Sequence, residues 1–153
     1  MMTIAERLSE LEIELPEAAV PVGAYRPVVV SGSLAFVAGQ IPMAGRTVLS
    51  PGRVGRDISV DQAASAARRC ALQALSALEL ELGTLDRIQQ IVKLEIFVAG
   101  DPDLTEHALV GNGASEVLRD IFGDAGVHSR VAVGVASLPL GACVEVVMVA
   151  QRD

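Results

Sequence analysis

His128–Gln151 reads HSRVAVGVASLPLGACVEVVMVAQ, and after its opening histidine it holds two charged residues, Arg130 and Glu145. The rest is apolar, small or turn-forming. Alternation of β-branched residues over Ser129–Ala136 and Ala142–Gln151 predicts two strands, and Pro139-Leu140-Gly141 between them predicts a tight turn. The second strand is apolar on both faces. Val144, Val146 and Met148 line one, and Cys143, Val147 and Val149 line the other. A carboxylate in such a strand is costly unless it is paired, hydrogen-bonded or protonated. The strand that starts with Arg130 should run beside it. Periodicity leaves two readings open for the pair: a buried or interfacial salt bridge, or an anion site in which the guanidinium fork grips a carboxylate and the glutamate positions or deprotonates water.

Upstream, TIAERLSELE carries the Thr3/Glu6 spacing of a capping box and predicts a helix over 4–11, stopped before Pro16. Val28–Val30 and Leu34–Val37 read as hairpin arms around Ser31-Gly32-Ser33. MAGRTVLSPGRVGRD reads as a loop in which Arg53 and Arg56 are solvated. The run SVDQAASAARRCALQALSALELELG is the clearest helix, with Ser59 and Gln62 as a second capping box and Gly83 past its end. On that helix Arg68, Arg69 and Gln73 fall on the polar side. RIQQIVKLEIFVA alternates as a strand, with Val92, Leu94, Ile96 and Val98 on one face and Lys93 and Glu95 on the other. GNGASEVLRDIFG reads as a helix capped by Asn112, with Ser115 in its first turn.

The element order α-β-β-α-β-α-β-β lacks strict βαβ alternation. It predicts an α+β sandwich with two main helices on one face of a mixed sheet. The chain, residues 1–153, is read as one domain whose first 20 residues form a helical extension. Two helices cover one sheet face only. A homo-oligomer would cover the other.

Composition narrows the function classes. Of 153 residues 51% are hydrophobic and 3% aromatic, and the net charge is −7, with a pI near 4.8. Phosphate neutralisation needs clustered Lys and Arg, so nucleic acid and anionic membrane are not expected partners. The longest apolar run is broken by Pro139, Gly141 and Glu145, so no membrane span is expected. The charged, helical N-terminus does not read as a secretory leader, and a cytoplasmic location is expected. Cys70 and Cys143 read as buried free thiols. His107 and His128 lack ligand-spaced companions, so no metal site is expected, and no phosphate loop, dinucleotide fingerprint or nucleophile elbow is present.

Three stretches together resemble one family. SRVAVGVASLPLGACVEVVMVA is similar to the C-terminal signature of the Rid (YjgF-type) reactive intermediate deaminases, formerly called endoribonuclease L-PSP. LAFVAGQIP resembles their early segment, and LGTLDRIQQIVKLEIFVAG their central helix-to-strand join. The resemblance runs from about Tyr25 to Ala150. The N-terminal helix, the GRVGRD loop and NGAS resemble a longer, less characterised subgroup. The resemblance implies a chorismate-mutase-like fold, a homotrimer with clefts between subunits, no metal and no organic cofactor. It also implies hydrolysis of small enamines or imines bearing a carboxylate, of the 2-aminoacrylate type, to keto acid and ammonia. By position, Arg130 would bind the substrate carboxylate and Glu145 would orient water. Tyr25, Gly39 with its neighbours Ala38 and Gln40, Ala132, and either Asn112 or Ser115 would line the cleft. Ala38 stands where deaminase members commonly carry serine. That departure favours an alternative, a non-catalytic trimer that binds small carboxylate metabolites.

Overall fold

The structure, a computed structural model, describes residues 1–21 and 23–153. Helix α1 (Ile4–Glu10) is closed at its start by the Thr3/Glu6 capping box. Strands β1 (Val28–Ser31) and β2 (Leu34–Gln40) form an antiparallel hairpin. Its loop is two residues, not three: Ser31 pairs with Leu34, and Gly32 at φ +60° takes the first central position, which L-residues with side chains resist. The segment read as a loop contains a second, small hairpin, β3 (Met43–Ala44) and β4 (Thr47–Val48), turning on Gly45 at φ +60°. Two-residue strands are too short to leave an alternating pattern.

Helix α2 (Val60–Leu82) has the Ser59/Gln62 capping box and ends on Gly83 in the left-handed region, φ +85°. Strand β5 (Ile88–Ala99), helix α3 (His107–Phe122), strand β6 (Ser129–Val135) and strand β7 (Val144–Arg152) complete the order. The five-stranded sheet runs β1-β2-β7-β5-β6. β5 and β6 are parallel, and the other neighbours are antiparallel. Helices α2 and α3 pack on each other and on one sheet face. The core between them is aliphatic, from Val37, Leu75, Leu78, Ile96, Leu118, Val146 and Met148.

Several sequence expectations change. β6 does not run beside β7, because β5 lies between them. In β5 the core face is Ile91, Leu94, Ile96 and Val98, with Val92 only half-buried. A register irregularity between Ile91 and Lys93 resets the alternation. Gln73 is buried rather than on the polar side. Its amide donates to the Ile41 carbonyl at 2.8 Å and accepts from the Met43 N–H at 2.8 Å, so it fixes the turn into β3. α3 starts at His107, five residues before Asn112, which is therefore inside the helix and caps nothing. Gly-Asn-Gly is poor helix sequence, but both glycines serve close approaches. A Cβ at Gly113 would strike the Ala64 carbonyl of α2, and one at Gly111 would lie 2.9 Å from Ile96 Cδ1 and 3.1 Å from Arg130 Nη1.

The sheet face away from α2 and α3 is bare in the single chain and mostly apolar, apart from the Lys93–Glu95 ion pair and Glu145. Phe36, Val131 and Val133 are 44%, 41% and 41% exposed, and Phe97, Val147 and Val149 are half-buried beside them. No helix is long and apolar enough to cross a membrane among the described residues.

Candidate functional site

Cross-strand partners share a sheet face, so register fixes where each candidate side chain points. Arg130 pairs with Leu94, and Leu94 with Met148. Both partners are buried under the helices. Arg130 therefore projects on the helix side of edge strand β6 and reaches along α3. Its Nη1 donates to Asn112 Oδ1 at 2.9 Å and to Ser115 Oγ at 3.0 Å, and its Nη2 donates to the Ala108 carbonyl at 3.3 Å. Both Asn112 and Ser115 thus meet the arginine. They are three apart on α3, so they lie on one stripe of the helix. Gly111, with no side chain, leaves room for the guanidinium against the helix.

A guanidinium has five N–H donors, and α3 accepts from three. Nε and the second Nη2 proton remain, on the edge suited to a bidentate carboxylate. All three acceptors are neutral. Among the described residues no carboxylate comes within ion-pair distance of Arg130.

The arginine lines a cleft of about 410 Å³, whose wall also includes Asn112, Ser115, Glu116, Arg119 and His128. His128 Nδ1 lies 2.9 Å from the Ser129 carbonyl. That oxygen only accepts, so Nδ1 carries the proton and Nε2 is left as an acceptor. Burial pushes the His128 pKa down, and the nearby Arg130 charge pushes it the same way. Ala132 follows two residues after Arg130 on the same face and packs half-buried on the core.

Glu145 lies elsewhere. It pairs with Phe97, and Phe97 with Val133, so it stands on the bare face. Across the β2–β7 ladder the register breaks between Val37 and Gln40. This bulge brings Gly39 so close that a Cβ there would collide with the Glu145 carboxylate. Burial raises the Glu145 pKa, and among the described residues no cation lies within ion-pair distance. Ala38 sits in the bulge and donates its N–H to the Pro27 carbonyl at 2.8 Å.

One chain therefore carries two separate groups, on opposite sides of its sheet: Arg130 with Asn112, Ser115 and Ala132, and Glu145 with Ala38 and Gly39. Gln40 joins neither. It is 7% exposed and points inward, donating to the Ala38 carbonyl at 3.1 Å and accepting from Gln73 Nε2 at 3.4 Å. Its side chain braces the bulge from below. Tyr25 is 52% exposed on the bend before β1, with its ring against Gly23. Arg53 is not simply solvated. Its guanidinium ties the Gly100 and Ala136 carbonyls at 2.5 and 2.6 Å, joining the chain just after β5 to the chain just after β6. Burial raises the pKa of Cys70 well above the usual thiol value and that of Cys143 to about 11. Both stay protonated and unreactive at neutral pH. Among the described residues no three His, Cys, Asp or Glu side chains gather as a metal site.

Sequence reasoning missed Glu116 and Arg119, and it read His128 as a loop residue. The signal was present in the 112/115/116/119 spacing, which is one face of a helix. It was hidden because the helix was started at Asn112.

Residues 5–152 match the sequence model of the family described as "YjgF/chorismate mutase-like, putative endoribonuclease". Protein TCP17 of Trypanosoma cruzi is 44% identical over 144 residues, 94% of this chain and 90% of that protein. Among solved structures, the Agrobacterium tumefaciens protein Atu1372, whose function is unknown, is 42% identical. It superposes with a TM-score of 0.90 over 98% of this chain and 92% of its own. A Shewanella oneidensis protein described as a "putative endoribonuclease" is 35% identical, with a TM-score of 0.94 over 98% and 99% of the two chains.

Proposed function

Because the chain belongs to the YjgF/chorismate-mutase-like family, we propose that it hydrolyses small imines and enamines bearing a carboxylate to the keto acid and ammonia. The observation that carries this reading is Arg130: a part-buried guanidinium held by three neutral acceptors, with a bidentate edge free and no carboxylate of its own. A charge positioned at that cost is suited to an anion brought by the ligand.

In the proposed reaction the substrate carboxylate takes the free Nε/Nη2 edge. An enamine takes a solvent proton on its β-carbon and an imine takes one on nitrogen, each giving the iminium. Water adds to the C=N carbon and gives one proton to the Glu145 carboxylate, leaving the neutral carbinolamine. The carbinolamine nitrogen takes that proton back from Glu145. As the C–N bond breaks and ammonia leaves, the hydroxyl gives its proton to Glu145 and the C=O bond forms, and Glu145 then releases this proton to solvent. Burial raises the Glu145 pKa, which makes its carboxylate a better proton acceptor than a free one. The remaining contribution is positioning.

Arg130 and Glu145 face opposite sides of one sheet, so the reading requires two copies. The Arg130 group of one chain would meet the Glu145–Gly39 group of the next, as in a homotrimer closed around the bare sheet faces. The apolar face with Phe36, Val131 and Val133 supports such an assembly.

A second reading, a trimer that binds small carboxylates without turnover, is favoured by Ala38, which offers the cleft no hydroxyl. A coupled assay separates the two: an amino-acid oxidase generates the imine and semicarbazide traps what survives. The enzyme should accelerate imine loss. Arg130→Ala should lower kcat/KM at least 100-fold (about 3 kcal/mol) with the assembly intact by light scattering. Turnover unchanged in that variant would sink the hydrolase reading, and keto acids that raise the Tm without turnover would support the binder.

A further inference from the structure

The cleft beside Arg130 extends past the arginine. Its volume of about 410 Å³ falls in the range that holds a whole metabolite, more than a three-carbon imino acid fills. Farther along the wall stands Arg119, on the α3 stripe of Asn112 and Ser115. It lies four residues beyond Ser115, a rise of ~6 Å along the helix axis. Arg119 is exposed, and among the described residues no carboxylate pairs with it. Glu116 lies one turn before it in the same wall yet forms no ion pair with it. His128 also lines the cleft, and burial together with the nearby Arg130 charge lowers its pKa. The cleft therefore sets two guanidiniums against one carboxylate, on a chain whose net charge is −7.

From this we infer that the cleft selects substrates with a second carboxylate: imines or enamines derived from an acidic amino acid. The α-carboxylate occupies the free edge of Arg130, and the side-chain carboxylate reaches Arg119. This inference rests on the imine-hydrolysing reading for the reaction and on Arg130 as the first anchor. It adds Arg119 as the residue that sets specificity.

The test compares kcat/KM for imines generated in situ by oxidases from aspartate or glutamate with that for the imine from alanine, in the full-length wild type and in Arg119→Gln. The expected wild-type ratio favours the acidic imines at least tenfold, and the ratio falls toward one in the variant. A wild-type ratio near one, or a ratio that the variant leaves unchanged, overturns the inference while leaving imine hydrolysis standing. If the wild type hydrolyses no imine, the proposed reaction fails by itself and calorimetric binding decides the cleft. Oxaloacetate binding at least tenfold tighter than pyruvate, with the advantage lost in Arg119→Gln, supports the two-anchor cleft. Equal affinities, an advantage the variant keeps, or no binding of either acid overturns it.

Discussion

Two glycines determine where the two charged residues of the C-terminal strands can lie. Without Gly111, the Arg130 guanidinium could not rest against α3, and without Gly39 the Glu145 carboxylate would have no space beside the bulge. The arginine thereby gains hydrogen bonds with α3, whereas among the described residues no cation pairs with the glutamate. Burial raises the folded-state pKa of Glu145 above 4.5. Between that value and the raised one, the folded chain binds more protons than the unfolded chain. Stability is therefore fully present below about 4.5 and is lost as pH rises through the folded pKa. Glu145→Gln removes this term. The variant should show a higher Tm than wild type at pH 7 and a difference that shrinks toward zero near pH 4. Parallel Tm–pH profiles from pH 4 to 8 would show that Glu145 carries no such strain. The sequence made both charges visible, since each interrupts an apolar run. It could not show that they stand on opposite sheet faces, because that depends on β5 lying between β6 and β7.

Helix α3 shows how an element can be legible in type and wrong in extent. Val117, Leu118 and Ile121 are buried as their spacing requires. The start was misplaced because Asn112 has the chemistry of a cap and stands between two residues with the lowest helix propensity short of proline. Packing overrides propensity here. Gly113 faces the Ala64 backbone of α2 so closely that a methyl group has no space, and a helix backbone cannot move aside as a flexible side chain can. Gly113→Ala should gain about 1 kcal/mol of intrinsic helix propensity and lose about 3 kcal/mol to overpacking against backbone, a net destabilisation of about 2 kcal/mol by the same two contributions. A thermal melt reads the outcome as a Tm lowered by several degrees. A Tm at or above wild type would mean that α2 and α3 are not in the close contact described. Arg53 and Gln73 belong to the same scale. Arg53 reads as a solvated loop residue and Gln73 as one on the polar side of α2, yet each hydrogen-bonds backbone carbonyl groups of neighbouring segments, a role that no sequence pattern marks.

For the whole molecule, the class of fold was legible because the two main helices and the long alternating strands are each locally consistent, and two helices can cover only one face of the sheet. The bare face and the opposed placement of Arg130 and Glu145 then lead to one consequence. If each reaction site joins the Arg130 group of one copy to the Glu145 group of the next, two inactive variants should repair each other. Arg130→Ala lacks the carboxylate anchor but keeps the glutamate, and Glu145→Gln lacks the proton carrier but keeps the arginine. In a trimer of mixed copies, a site is competent when the first variant supplies Glu145 and the second supplies Arg130. Random assortment of an equal mixture makes about one site in four competent in a closed ring. Each variant alone should therefore be inactive with a mass three times the 15.9 kDa chain. The pair, dissociated and reassembled together, should recover about a quarter of wild-type imine hydrolysis by the same closed-ring count. Mixing without dissociation should recover none. No recovery after verified subunit exchange would place both residues' work within a single chain, and a wild-type protein that is monomeric and fully active would remove the shared site altogether.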